Sequence, residues 1–112
     1  IALSVLATVI GHQADKGLLV TDAGWMALSR DRGTASQAVD QGYGLVCDAA
    51  GLPLGDVIVR ECNQEHGLVG ARTPGGQLDL TRFPIGSQLR ILPNHACATA
   101  AQHTHYAVIE QG

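Results

Sequence analysis

Basic and aromatic side chains are scarce in this 112-residue chain. It has seven Lys and Arg in all, one Trp, two Tyr and one Phe. The seven cations form no run or stripe, and the formal net charge is −3. A nucleic-acid interface needs clustered cations along the phosphate backbone, so the composition argues against one. With so few aromatic residues (Trp25, Tyr43, Phe83 and Tyr106), the core has to be built from Val, Ile, Leu and Ala. Lysine occurs once, as Lys16 between polar residues and a glycine. A lysine that forms Schiff bases needs a desolvated pocket to lower its pKa, and this turn-like setting does not offer one. The three cysteines, Cys47, Cys62 and Cys97, include no C-x-x-C pair. An odd, dispersed set argues against a disulfide framework and leads us to expect a reducing, cytoplasmic setting. The longest apolar stretch, IALSVLATVI, is half of the ~20 residues that a membrane-spanning helix needs. It also lacks the basic flank and cleavage site of a signal peptide, so no membrane partner is expected.

What remains has a globular composition: 46% hydrophobic and 15% charged residues, in a length that suits one domain with its own core. The chain starts at Ile1, already inside an apolar, strand-like segment. This leads us to expect a piece of a longer protein or a domain expressed alone.

Short apolar runs rich in β-branched residues alternate with Gly and Pro punctuation. Strands are expected over 2–10, 18–22, 43–49, 56–62 and 87–93, with a further one in EHGLVG and a last one over 103–111. GHQADKG (11–17) and GLPLG (51–55) read as turns, as does the Pro74-Gly75-Gly76 tip of a long loop. TASQAVDQ reads as loop, and NHACATAA as extended or irregular chain. WMALSRD (25–31) has room for one or two helical turns, stopped at Gly33. The expected fold is therefore mainly β: a small barrel or sandwich of about seven to eight short strands, with one short helical segment near 25–31.

Several groups of residues are candidates for chemistry. In LPNHAC (92–97), His95 and Cys97 sit two apart after a proline. On an extended chain both would face one side. Imidazole nitrogen and thiolate sulfur are good zinc donors, but two ligands leave a site open unless others join from elsewhere. The bland alternative is a small buried cysteine beside a hydrogen-bonded histidine. Glu65-His66-Gly67 pairs a carboxylate with an imidazole, suited to acid/base work or to supporting a metal, or is simply a polar turn. Asp22-Ala23-Gly24 places an acid at the end of an apolar strand, as a site residue or as a cap. His103 and His105 would share a strand face and could join His95, or could simply be solvated.

DAGWMALSRDRG (22–33), NQEHG (63–67) and IGSQLRILPNHAC (85–97) occur in that order. Together they resemble the C-terminal domain of the D-serine dehydratase-like and D-threonine aldolase-like family, alanine-racemase-type pyridoxal-phosphate enzymes. The resemblance spans nearly the whole chain. It implies one β domain over 1–112, with the family's TIM-like barrel and its Schiff-base lysine absent from this chain. It implies that His95 and Cys97 are the metal pair, with zinc expected and manganese second. Asp22, Glu65 and His66 match family motifs as candidate catalytic residues without an assigned step. Pyridoxal phosphate would belong to the full-length enzyme alone, as electron sink, with the metal acting as Lewis acid on the β-hydroxyl of a D-3-hydroxy amino acid. The isolated domain would be inactive.

Its implied partners are the missing barrel domain, a small D-amino acid and a second subunit in a homodimer. Because a neighbouring segment often adds a strand to this domain, the fragment is expected to leave an unpaired edge that favours self-association. Two other readings stand beside this one: a non-catalytic β-barrel interaction or dimerisation module, and, third, a stand-alone zinc hydrolase.

Overall fold

The computed structural model describes residues 3–29, 41–73 and 76–109. The loop read in TASQAVDQ lies outside that range except for its last residue. So do the stop at Gly33, the Pro74-Gly75 part of the loop tip and the ends of the 25–31 and 103–111 segments.

Six strands form: β1 (Val5–Gln13), β2 (Leu18–Thr21), β3 (Gly44–Asp48), β4 (Pro53–Cys62), β5 (Gly67–Ala71) and β6 (Gln88–Pro93). A 3-10 turn occupies Leu80–Arg82, and a short helix, α1, spans Ala96–Ala100. Around the barrel the order is β1-β2-β5-β4-β3-β6, and β6 pairs back onto β1. All the pairings between strands are antiparallel.

Period-two burial builds the barrel interior. Along β1, Val5, Ala7 and Val9 point inward while Leu6 is exposed; along β6, Leu89 and Ile91 point inward and Arg90 outward. Val46, Val59 and Val69 add fully buried side chains from β3, β4 and β5. The core is aliphatic as expected; Phe83 is the aromatic residue buried within it. The register of β1 against β2 shifts between Val9 and Gly11, which inserts Ile10 as an extra residue and lets the strand bend around the closure.

The mainly β barrel with little helix agrees with the sequence reading, and several local expectations change. The strands number six among the described residues. Residues 103–109 form no strand, and the topology gives the reason: with β6 paired to β1, no edge remains to receive another strand. For the same reason the expected unpaired edge does not exist among the described strands. Over 25–31 the described part is a single turn, in which Leu28 N donates to Gly24 O at 2.9 Å. GLPLG is not one turn. Pro53 already opens β4, and the reversal lies just before it, where the Asp48 carboxylate accepts from the amides of Ala50 and Leu52 at 2.9 and 3.0 Å. NHACATAA is helical from Ala96 to Ala100, because three alanines in five residues favour helix once Pro93 has ended the strand.

Truncating Ile91 to Ala is expected to lower unfolding free energy by about 2–5 kcal/mol in urea titrations, because the side chain is fully buried at the barrel seam. Leu6→Ala, on the outer face of the same seam and 53% exposed, is expected to change it by no more than about 0.5 kcal/mol.

Candidate functional site

Two of the sequence motifs, around DAGW and NQEHG, meet on one side of the barrel through backbone contacts. Gly24 packs against the bend at 63–66 so closely that an added Cβ would lie 2.5 Å from the His66 amide nitrogen and closer still to the Asn63 carbonyl. Gly67 meets the Ala23 carbonyl in the same way from the other side. Trp25 N donates to Asn63 O at 2.9 Å and Met26 N to Gln64 O at 3.1 Å, so the turn at 24–28 and the bend at 63–66 are stitched together. Thr21, completely buried, closes the junction by donating its hydroxyl to Gly67 O at 3.2 Å.

The segment carrying His95 and Cys97 hangs from this turn. β6 ends at Pro93, and Asn94 Nδ2 donates to Gly42 O at 2.6 Å, which fixes the bend. His95 is the N-cap residue of α1, with extended backbone and no side-chain capping bond. Thr99 N donates to His95 O and Ala101 N to Cys97 O, both at 3.1 Å. Inside the helix, Thr99 is completely buried and donates its hydroxyl to Leu28 O. Just beyond it, His103 Nε2 bonds Ala27 O at 2.8 Å. A carbonyl only accepts, so Nε2 carries the hydrogen.

His95 and Cys97 are therefore not two residues on a strand. His95 caps the start of a helix and Cys97 lies in its first turn, and both are exposed. The other two cysteines differ in kind. Cys62 is buried, and burial pushes its thiol up to about 11; Cys47 is fully buried and raised by burial first and then by the Asp48 charge. Burial disfavours the thiolate that a metal needs, which leaves Cys97 as the sulfur placed to serve as a ligand.

The other candidates have settings of their own. Asp22 accepts from Thr8 N at 2.9 Å through its carboxylate and returns its own amide to Thr8 O at 3.2 Å. It works as a clamp across the β1 bulge. Glu65 and His66 are exposed in the bend between β4 and β5. His103 is occupied by Ala27, and His105 Nδ1 lies 2.9 Å from the Thr104 hydroxyl, so the expected shared strand face does not form. Among the described residues no three His, Cys, Asp or Glu side chains converge to hold a metal. Sequence reasoning missed Thr99. Its one signal is that it is the hydrogen-bonding residue in an otherwise apolar ACATA run.

Residues 2–109 match the family model described as "Putative serine dehydratase domain". A D-threo-3-hydroxyaspartate dehydratase from Delftia sp. (strain HT23) is 57% identical over 110 residues, covering 97% of this chain and 29% of that protein. A D-serine dehydratase from Dictyostelium discoideum is 33% identical over 112 residues, covering 97% of this chain and 27% of its own length. The solved Delftia structure superposes with a TM-score of 0.88 at 60% identity, covering 92% of this chain and 27% of that one. A D-threo-3-hydroxyaspartate dehydratase has also been solved as a histidine-to-alanine mutant and as a cysteine-to-alanine mutant in the metal-free form, each 59% identical to this chain with a TM-score of 0.88, the two substituted residues lying two positions apart. This chain thus spans less than a third of the length of these relatives.

Two measurements check this geometry. Gly24→Ala is expected to cost roughly 2–3 kcal/mol in urea unfolding, since its methyl group would meet backbone that has no room to move. In native protein, a thiol reagent is expected to modify Cys97 alone rapidly, Cys97→Ser abolishing the fast phase; fast reaction of a second thiol would contradict the burial of Cys47 and Cys62.

Proposed function

The chain belongs to the serine dehydratase domain family, and on that premise we propose that it is the metal-ligand-bearing C-terminal domain of a pyridoxal-phosphate-dependent lyase acting on D-3-hydroxy amino acids. His95 and Cys97 are its metal pair. The observation that carries this reading is the placement of an exposed imidazole and an exposed thiol two residues apart around one helix start, on a segment pinned at Asn94, Thr99 and His103. The same two residue types at the same separation are the ones substituted in the solved D-threo-3-hydroxyaspartate dehydratase mutants, of which the cysteine variant is in the metal-free form. Nitrogen and sulfur donors of this kind fit zinc better than manganese.

The residues present fit a metal as half of a coordination sphere. His95 supplies a neutral ring nitrogen and Cys97 a thiolate, and the remaining positions fall to water, substrate or groups elsewhere in the full-length enzyme. A metal bound there would supply Lewis acidity to a substrate hydroxyl. Of the chain's other candidates, Asp22 holds strand β1, whereas Glu65 and His66 are exposed and free to meet substrate or the rest of the enzyme. Pyridoxal phosphate does not fit this chain, because the one lysine, Lys16, is exposed in the β1–β2 turn. We assign the cofactor, the Schiff-base lysine and the TIM-like barrel to the remainder of the full-length protein. The isolated domain is then inactive, and a homodimer of full-length subunits is the expected assembly. Dehydration is favoured over aldol cleavage by the 57% identity to the Delftia dehydratase.

The test is metal content by mass spectrometry in the full-length enzyme. Wild type is expected to carry zinc near one equivalent per subunit, and His95→Ala and Cys97→Ala each to lose most of it. Retention of full metal by both variants would overturn the assignment.

A further inference from the structure

The metal pair sits on a helix too short to hold its own orientation. Five residues make little more than one turn, below the length at which an isolated helix is stable in water. Something outside the helix must set where His95 and Cys97 point. The structure offers two side-chain tethers to the preceding turn, and they grip adjacent carbonyls: Thr99 Oγ1 on Leu28 and His103 Nε2 on Ala27. That turn is in turn locked to the 63–66 bend by Gly24 and by the amides of Trp25 and Met26.

We propose that Thr99 and His103 are positioning residues, which hold α1 against the Ala27 and Leu28 carbonyls and so set the geometry in which His95 and Cys97 take a metal. This rests on the reading of His95 and Cys97 as metal ligands. Thr99 stands two residues after Cys97, on the face of the helix turned into the protein, while Cys97 is turned out. Its hydroxyl therefore fixes the helix about its axis. His103 lies past the helix end and fixes the tilt. With both tethers made, the backbone that carries the two ligands does not have to be ordered by the metal, so that part of the ordering entropy is already spent in the metal-free protein.

The proposal makes His103 a hydrogen-bond donor to backbone and removes it from the ligand set. A donor at the Nε2 position is what the site requires, so Gln, whose amide nitrogen reaches to about the same place, is the matched replacement for His103. Ser is the matched replacement for Thr99.

The experiment uses the full-length enzyme. Zinc affinity is measured by competition with a chromophoric chelator, and the cobalt-substituted protein is examined by visible absorption, which reports the ligand field and the thiolate-to-cobalt band. Thr99→Val and His103→Ala are each expected to weaken zinc binding about tenfold or more and to alter the cobalt bands, with Thr99→Ser and His103→Gln recovering both. Wild-type affinity and spectrum in a folded Thr99→Val or His103→Ala protein would overturn the proposal. So would failure of both matched replacements to recover the signal. His103→Ala alters a half-buried side chain outside the helix and keeps the test open if Thr99→Val does not fold. Unchanged zinc content in His95→Ala and Cys97→Ala is a different result, and it removes the underlying ligand assignment instead.

Discussion

Two glycines carry the structure on its functional side. At Gly24 and Gly67 the backbone of one loop lies against the backbone of another, at a separation that leaves no space for a Cβ. Any other residue at either point would push the 24–28 turn and the 63–66 bend apart. Everything that follows is attached to that turn: Thr99 and His103 reach for its carbonyls, α1 is thereby seated, and His95 and Cys97 are placed at the start of α1. The order of dependence runs from close packing of backbone to presentation of chemistry. The barrel beneath supplies a rigid floor for this, since Thr21 at the end of β2 and Gly67 at the start of β5 are themselves barrel residues.

Much of the barrel was legible from sequence because its strands obey local rules. Apolar runs such as DVIVREC and QLRILP are bracketed by Gly, Pro and polar turns; alternation shows in the burial of β1 and β6, whereas Val57, Ile58 and Val59 of β4 are buried in succession. What was not legible is what depends on contacts between distant segments. HTHYAVIEQ has the pattern of a strand, but barrel closure through β6 and β1 leaves its described part, 103–109, no sheet edge to join. ACATA is too short to show a 3.6-residue period, so nothing local distinguishes a helix from an irregular tail. The spacing in LPNHAC suggests two side chains on a common strand face, and the backbone there is a helix start instead.

The candidate catalytic residues illustrate the same limit. Asp22 reads equally well as a site acid or as a cap, and its carboxylate turns out to hold a backbone amide of β1. DAGW and NQEHG look like chemical motifs because they contain an acid, a carboxylate and an imidazole. Their glycines, however, are what join them, and that is a packing relation between residues some forty positions apart. A motif of this kind builds a scaffold through its glycines, whatever its polar side chains do. Cysteine burial separates the roles further: Cys47 and Cys62 serve the core, and Cys97 faces outward.

The seam between β1 and β6 also bears on the timing of assembly. Val5 pairs with Ile91, so the barrel joins two strands separated by most of the chain. Such a non-local contact carries a larger loop-closure cost than the hairpins between neighbouring strands. During synthesis the first strand must wait, with one side unpaired, until β6 has emerged. The residues that leave β6 are Asn94, His95 and Cys97 within a few steps of the chain. Closing the seam therefore also brings the segment that carries His95 and Cys97 to the turn whose carbonyls receive Thr99 and His103, so that the barrel and this segment are ordered by one set of contacts.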